Sequence, residues 1–308
     1  MEGSRKPRNP TVQKVLDDGV SMTLRDLSNE EYARFLWTYG ADAAGYLGRM
    51  EYRRLLEDIP DPRRLEHFGR KVYSQSDEDG ILEEIFRRLG FNRRSGLFVE
   101  FGASDGVEFS NTLYLLLRGF SGLWIDSADS NIRSIRERFR LPLESGQLKL
   151  AQSFITAENI DELLLKYLGS DTPIAVLSID IDGNDLWVWR EITSVAPAVV
   201  VIEYNGKFPP PLSLVQEYHP DFVWSGTDYS GASLEALARL GRQKGYQLVG
   251  CNITGLNAFF VRDDLVGEHF SYDRTPATLY HPSRQYLHFG CFMSSGLIAD
   301  FGKYVEYP

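Results

Sequence analysis

Five short apolar, β-prone runs separated by segments with helical spacing restrict the architecture open to this chain more than any other feature. The runs lie at 97–101, 122–126, 147–151, 174–180 and 198–203, and helices are expected between them near 110–118, 129–138, 158–168 and 184–193. Strands that are apolar on both faces and alternate with helices form a parallel sheet covered on both sides. After a long connection at 204–230, a helix is expected at 233–244 with Leu234, Leu237 and Leu240 inward, then two closing strands at 246–250 and 257–261.

The flanks read differently. Residues 1–12 are rich in Gly, Pro and basic residues and read as a flexible tail. Ser28 and Glu31 have capping-box spacing, so a helix is expected over 29–39, stopped by Gly40, with a second over 43–57 that ends before Pro60 and Pro62. Residues 13–70 are therefore a helical appendage to an α/β domain at 71–264. That domain opens with a helix after Ser76 carrying Ile81, Ile85 and Leu89, ended by Gly90. The aromatic-rich remainder, 265–308, is a C-terminal extension, a lid or a segment that contacts substrate.

The first strand runs into Val99-Glu-Phe-Gly-Ala-Ser-Asp-Gly106, where glycines 102 and 106 let backbone approach a ligand and a following helix would offer free amides. About twenty residues on, the second strand ends in Asp126, placed to accept hydrogen bonds from ribose hydroxyls. The dinucleotide fingerprint is absent because position 104 is serine where the second glycine should be. Glu100, two residues before Gly102, would face an electropositive group of the ligand, such as an amine. This favours a sulfonium nucleoside over NAD.

The runs LFVEFGASDG, SGLWID, LSIDIDGND and VVVIEYN, with YSQSDEDGIL ahead of them, resemble class I S-adenosylmethionine-dependent methyltransferases of the FkbM type over roughly residues 73–264. The resemblance implies a Rossmann-like seven-stranded sheet with its last strand antiparallel, S-adenosylmethionine at the ends of the first strands, and methyl transfer to a hydroxyl of a sugar or another small secondary metabolite. On that basis Glu100, Gly102, Ala103, Ser104, Gly106, Asp126, Ser127 and Asp180 would hold the cofactor, with Gln152 and Ser153 near its adenine. The appendage and the C-terminal extension lie outside the resemblance.

Asp180, Asp182 and Asp185 follow the fourth strand within six residues. Alternation along a strand points Asp180 and Asp182 the same way if the extended conformation persists, and carboxylates so close need a cation or a proton between them. With Glu203 and Asn205 at the end of the fifth strand they make an oxygen-rich set suited to Mg²⁺ or Mn²⁺. Such an ion would lower the pKa of an acceptor hydroxyl; Asp180 or Asp182 as a metal-free general base is the alternative. Asp185 reads as a cap of the next helix and Gly183 as a turn. His219, in the long connection, is the acid/base candidate among the histidines; His281 and His288 could belong to a lid. Tyr204, Phe208, Trp224 and Tyr229 are candidates for an acceptor pocket.

Composition narrows the function further. At 43% hydrophobic and 25% charged residues the chain is an ordinary globular one, and a net charge of −10 disfavours nucleic acid. No apolar window is long enough for a membrane span, the basic N-terminus lacks the apolar stretch of a secretory signal, and Cys251 and Cys291 form no disulfide framework, so a cytoplasmic protein is expected. The helical appendage is compatible with a homo-oligomer. Asn252-Ile-Thr254 matches the glycosylation pattern by chance. Two rival readings are a glycosyltransferase using Asp180-Ile-Asp182 to hold a metal and a nucleotide sugar, and a non-catalytic cofactor-binding module.

Overall fold

The computed structural model describes residues 28–91, 96–170 and 172–287. The tail expected at 1–12, Cys291 and His288 lie outside the described residues.

The five apolar runs form strands β1 (Leu97–Phe101), β2 (Ser121–Asp126), β3 (Leu148–Gln152), β4 (Val176–Ile179) and β5 (Val199–Glu203), and the closing pair are β6 (Tyr246–Cys251) and β7 (Asn257–Arg262). One seven-stranded sheet results, in the order β3-β2-β1-β4-β5-β7-β6. Strands β1 to β5 are mutually parallel, and β7 runs antiparallel to β5 and β6. This is the Rossmann-like arrangement of methyltransferases. The order reverses between β1 and β4, and the crevice beyond their carboxyl ends is where such sheets bind ligands.

After α1 (Asn29–Glu57), none of whose described side chains belongs to either core, helices cover both faces: α2 (Glu78–Arg88), α3 (Leu113–Leu117), α4 (Asp129–Arg138), α5 (Arg140–Glu144), α6 (Ile160–Leu168), α7 (Asp185–Glu191) and α8 (Leu234–Gln243). Strand alternation divides the core in two. Phe98, Trp124, Val176 and Val199 pack with Ile81 and Ile85 of α2 and Leu113 of α3. Val99, Ile125, Leu177 and Val200 pack with Leu164 of α6, Val188 of α7 and Leu237 of α8. Because both faces are buried, the strands read as continuous apolar runs in sequence.

Two local expectations fail. The helix expected to stop at Gly40 continues to Glu57 as one 29-residue element. Nothing lies within 4 Å of the Cβ position at Gly40; an isolated exposed glycine costs only about 1 kcal/mol in a helix, too little to end one this long. The helix after the glycine turn is five residues, not nine, because 103–112 instead folds around two carboxylates. Asp105 accepts the Val107 and Glu108 amides, and Glu100 accepts from Ser110, Asn111 and Thr112.

Before α2, a 3₁₀ turn (Leu65–Phe68) inserts Leu65 into the core under β6. Its Glu66, fully buried, pairs with Arg64 and accepts from His281 Nε2 at 2.7 Å. That bond helps hold the segment around His281 across the sheet end, where Tyr204 Oη donates to His281 O and Ser283 N donates to Gly206 O. Asn252 is buried with its amide on Glu78, so it offers no acceptor for a glycan.

Candidate functional site

Beyond the carboxyl ends of β1, β2, β4 and β5 lies a cavity of about 650 Å³, within the usual range for a small-molecule site. The switch point, the acids after β4 and the segment after β5 all border it. Of the residues singled out in the sequence, Glu100, Gly102, Ser104, Asp126, Asp180, Asp182, Glu203 and Asn205 line it; Ala103, Gly106, Ser127, Gln152, Ser153 and His219 do not.

Glu100 is spent largely on its own loop. It accepts Ser110 Oγ at 2.8 Å, Thr112 Oγ1 at 2.6 Å and Asn111 N at 2.7 Å, while burial raises its pKa. A carboxylate has about four acceptor positions, so little remains for a ligand. Asp126 is likewise engaged, with Oδ2 on Ser104 N and Oδ1 on Ala128 N and Asn131 Nδ2. It fixes the glycine turn and the start of α4 while still facing the cavity.

The two glycines differ. Gly102 has φ +71, and a Cβ there would stand 1.8 Å from the Asp180 carbonyl oxygen, so the residue lets β1 close against the end of β4. Gly106, at φ +82, is required by the core: its Cβ would meet Phe139 at 2.8 Å and Trp124 at 2.9 Å. Its expected role at the ligand is therefore corrected to packing. Ala103 is buried in the same core, and Ser127, Gln152 and Ser153 flank the β2 and β3 ends away from the cavity, with Gln152 on Asp129.

Strand β4 ends at Ile179, and Asp182 adopts the left-handed region at φ +58. Extended alternation thus does not bring the acids together; a tight turn does. Asp185 closes that turn by accepting Ile181 N at 2.9 Å and Gly183 N at 2.8 Å, and burial pushes it up to about 6. Asp185 is structural, but not as the helix cap expected: Asn184 holds the N-cap position and Asp185 is the first helical residue, its carboxylate turned back onto the preceding turn. Ser230 Oγ donates to the Asp182 carbonyl, joining the turn to the segment after β5.

One carboxylate oxygen each from Asp180, Asp182 and Glu203 lies within 4.8 Å of the others. Among the described residues none of these three carboxylates receives a hydrogen bond, although Glu100, Asp126 and Asp185 each accept two or three. Burial and then Asp182 push Asp180 well above the usual carboxylate range; burial and then Asp180 do the same to Glu203, and burial raises Asp182. At an effective dielectric constant of 20, two such charges repel by about 3 kcal/mol or more. The set is built for a proton or a cation. Asn205 borders it, but its amide holds Asp228 O and Ser230 O and its oxygen accepts Lys207 N, so it serves the loop.

His219 is exposed and stands off the cavity. Its carbonyl accepts Asn184 Nδ2, and its ring Nδ1 accepts Asp221 N at 3.3 Å, which corrects its candidacy as acid or base. Tyr204 and Trp224 line the cavity, whereas Phe208 and Tyr229 do not. Sequence reasoning missed Gln75, Asn131, Lys207 and Ser283. Gln75 lies inside the YSQSDED run and Asn131 five residues after Asp126, but only long-range folding turns them toward one space.

No helix among the described residues is long and apolar enough to cross a membrane. No family model matches the chain, and no curated protein sequence matches it. Among solved structures it is similar to an O-methyltransferase family protein from Burkholderia thailandensis, at 12% identity and TM-score 0.38 over 71% of this chain and 70% of that one. It is also similar to a putative caffeoyl-CoA O-methyltransferase from Staphylococcus aureus, at 12% identity and TM-score 0.42 over 76% and 99%. A third is the METTL16 MTase domain, at 10% identity and TM-score 0.39 over 63% and 70%. These likenesses concern the fold alone.

Proposed function

We propose that the protein is an FkbM-type methyltransferase that binds S-adenosylmethionine in this cavity and methylates a hydroxyl of a small acceptor, a sugar or another secondary metabolite. The observation that carries the reading is the cavity's charge. Seven carboxylates line it against one cation, Lys207, which is paired with Asp228. Such a lining favours a ligand bearing sulfonium and ammonium groups and disfavours polyphosphates such as NAD or a nucleotide sugar.

Within this reading Asp126, braced by Asn131, orients the ribose, and the Gly102 turn brings the end of β1 beside the reacting centre. Asp180, Asp182 and Glu203 would hold Mg²⁺ or Mn²⁺; their donor-free carboxylates fit a hard cation. When bound, that ion supplies polarisation of the acceptor hydroxyl. Without an ion, Asp182, the carboxylate of the three most open to solvent, would instead take the proton that the acceptor loses. Trp224 and Tyr204 border the acceptor, on the side of the segment after β5. A cytoplasmic location suits this chemistry.

Thermal unfolding tests the cation site. Mn²⁺ at 100 times its dissociation constant should add about 2.7 kcal/mol of stability, a rise of roughly 5–10 °C for a domain of this size. The rise should vanish in Asp182→Asn and fade as pH falls, because protons then occupy carboxylates whose affinity for them is raised. An equal rise in wild type and variant would remove the cation from the account.

A further inference from the structure

We infer that Gln75 binds the carboxylate at the amino-acid end of the cofactor, an assignment that rests on the S-adenosylmethionine reading and extends it to the segment before α2. Residues on both sides of Gln75 are held by buried acids. Val72 N, Tyr73 N, Ser74 N and Ser74 Oγ all donate to Asp79 Oδ2 at 2.7–2.9 Å. Ser76 N donates to Glu78 Oε2 at 2.7 Å, and Ser76 Oγ meets Thr254 Oγ1 at 2.9 Å. Ser74, Ser76, Glu78 and Asp79 are all buried.

Burying two carboxylates is costly, and here they fix a short stretch of chain that gives the cavity one side chain. The Gln75 carboxamide has no hydrogen-bond partner among the described residues; its only recorded bond is through its backbone carbonyl, from Lys71 Nζ. A rigidly placed carboxamide with free donors and a free acceptor is a recognition group.

The ligand end it meets follows from charge and position. In a lining of seven carboxylates whose one cation is already paired, the carboxylate of a zwitterionic ligand has to be met by neutral donors. Gln75 supplies them on the correct side. Ser74 pairs with Phe109 as a parallel bridge, which sets Gln75 beside the loop that Glu100 organises. Asp126, which would take the ribose, lies at the end of β2 on the other side of β1. The nucleoside then lies over β2, the sulfur over the Gly102 turn, and the amino acid toward Gln75.

Titration calorimetry on the full chain tests this with S-adenosylhomocysteine and 5′-methylthioadenosine, which keeps the nucleoside and thioether but lacks the amino acid. Gln75→Ala should weaken S-adenosylhomocysteine about tenfold and leave methylthioadenosine within about twofold. Gln75→Glu, of equal size, sets carboxylate against carboxylate and should weaken S-adenosylhomocysteine further while again sparing methylthioadenosine. Both variants should melt near wild type, since the side chain makes no bond among the described residues. Equal loss of both ligands, or unchanged S-adenosylhomocysteine affinity in Gln75→Glu, overturns the assignment and leaves the cofactor reading standing. A wild type that binds neither ligand overturns that reading and the assignment with it.

Discussion

Glu66→Gln should cost about 3–5 kcal/mol, because it leaves the Arg64 guanidinium buried without its counter-charge. The melting temperature should fall by on the order of 10 °C. The substitution keeps the side chain's size, so the loss reports charge rather than a cavity. It also loosens His281, and through it the segment that places Ser283 and Gln285 on the cavity wall. A fall below about 2 °C would show that the ion pair contributes little, as exposed pairs do.

The same residue sets a pH dependence. Burial alone would raise Glu66, but the bonds from His281 and Arg64 hold it down at about 2, against an ordinary value of 4.5. A carboxylate whose folded pKa is depressed binds fewer protons when folded than when unfolded, so its contribution is complete above about 4.5 and is lost as pH falls toward about 2. That contribution is about 3 kcal/mol. Burial raises Asp77, Asp79 and Glu100, which therefore push stability the other way as pH falls. Subtracting the acid unfolding curve of Glu66→Gln from that of wild type isolates the Glu66 part.

Gly102→Ala should be nearly as damaging. The left-handed φ costs an alanine about 1–2 kcal/mol, and forcing a methyl against backbone adds about 1–3 kcal/mol. The atom it strikes is the Asp180 carbonyl oxygen, so β1 and β4 must part where the carboxylates converge. Mn²⁺ should then no longer raise the melting temperature. Gly106→Ala provides the contrast: its methyl strikes Phe139 and Trp124, so stability should fall while the cation response survives. A cation response intact in Gly102→Ala would separate the turn from the site.

The sheet was legible in the sequence because a parallel sheet buried on both faces demands unbroken apolar runs, and each run from 97–101 to 257–261 lies within about two residues of an observed strand. Asp180 and Glu203 were legible because strand ends deliver side chains to one edge, whereas Asp182 reaches them through a left-handed turn that strand alternation did not foresee. What was not legible depends on contacts distant in sequence. Glu100 looked free for a ligand, but only the folded loop shows Ser110, Asn111 and Thr112 donating to it, and Asp126 keeps its place on the cavity while also holding Ser104 N. Gly102 and Gly106 look alike in a motif, and the atoms opposite them separate a site residue from a core residue. Gly40 and His219 misled because local preference was weaker than a long helix in one case, and because position in a loop says nothing about where a ring turns in the other.

The central claim is that this acidic cavity holds a sulfonium nucleoside rather than a polyphosphate. Calorimetric titration of the wild type with S-adenosylhomocysteine, a UDP-sugar and NAD, each with and without Mn²⁺, tests it most directly. Saturable binding of S-adenosylhomocysteine alone is the predicted result; binding of the UDP-sugar or NAD with none of S-adenosylhomocysteine would contradict it.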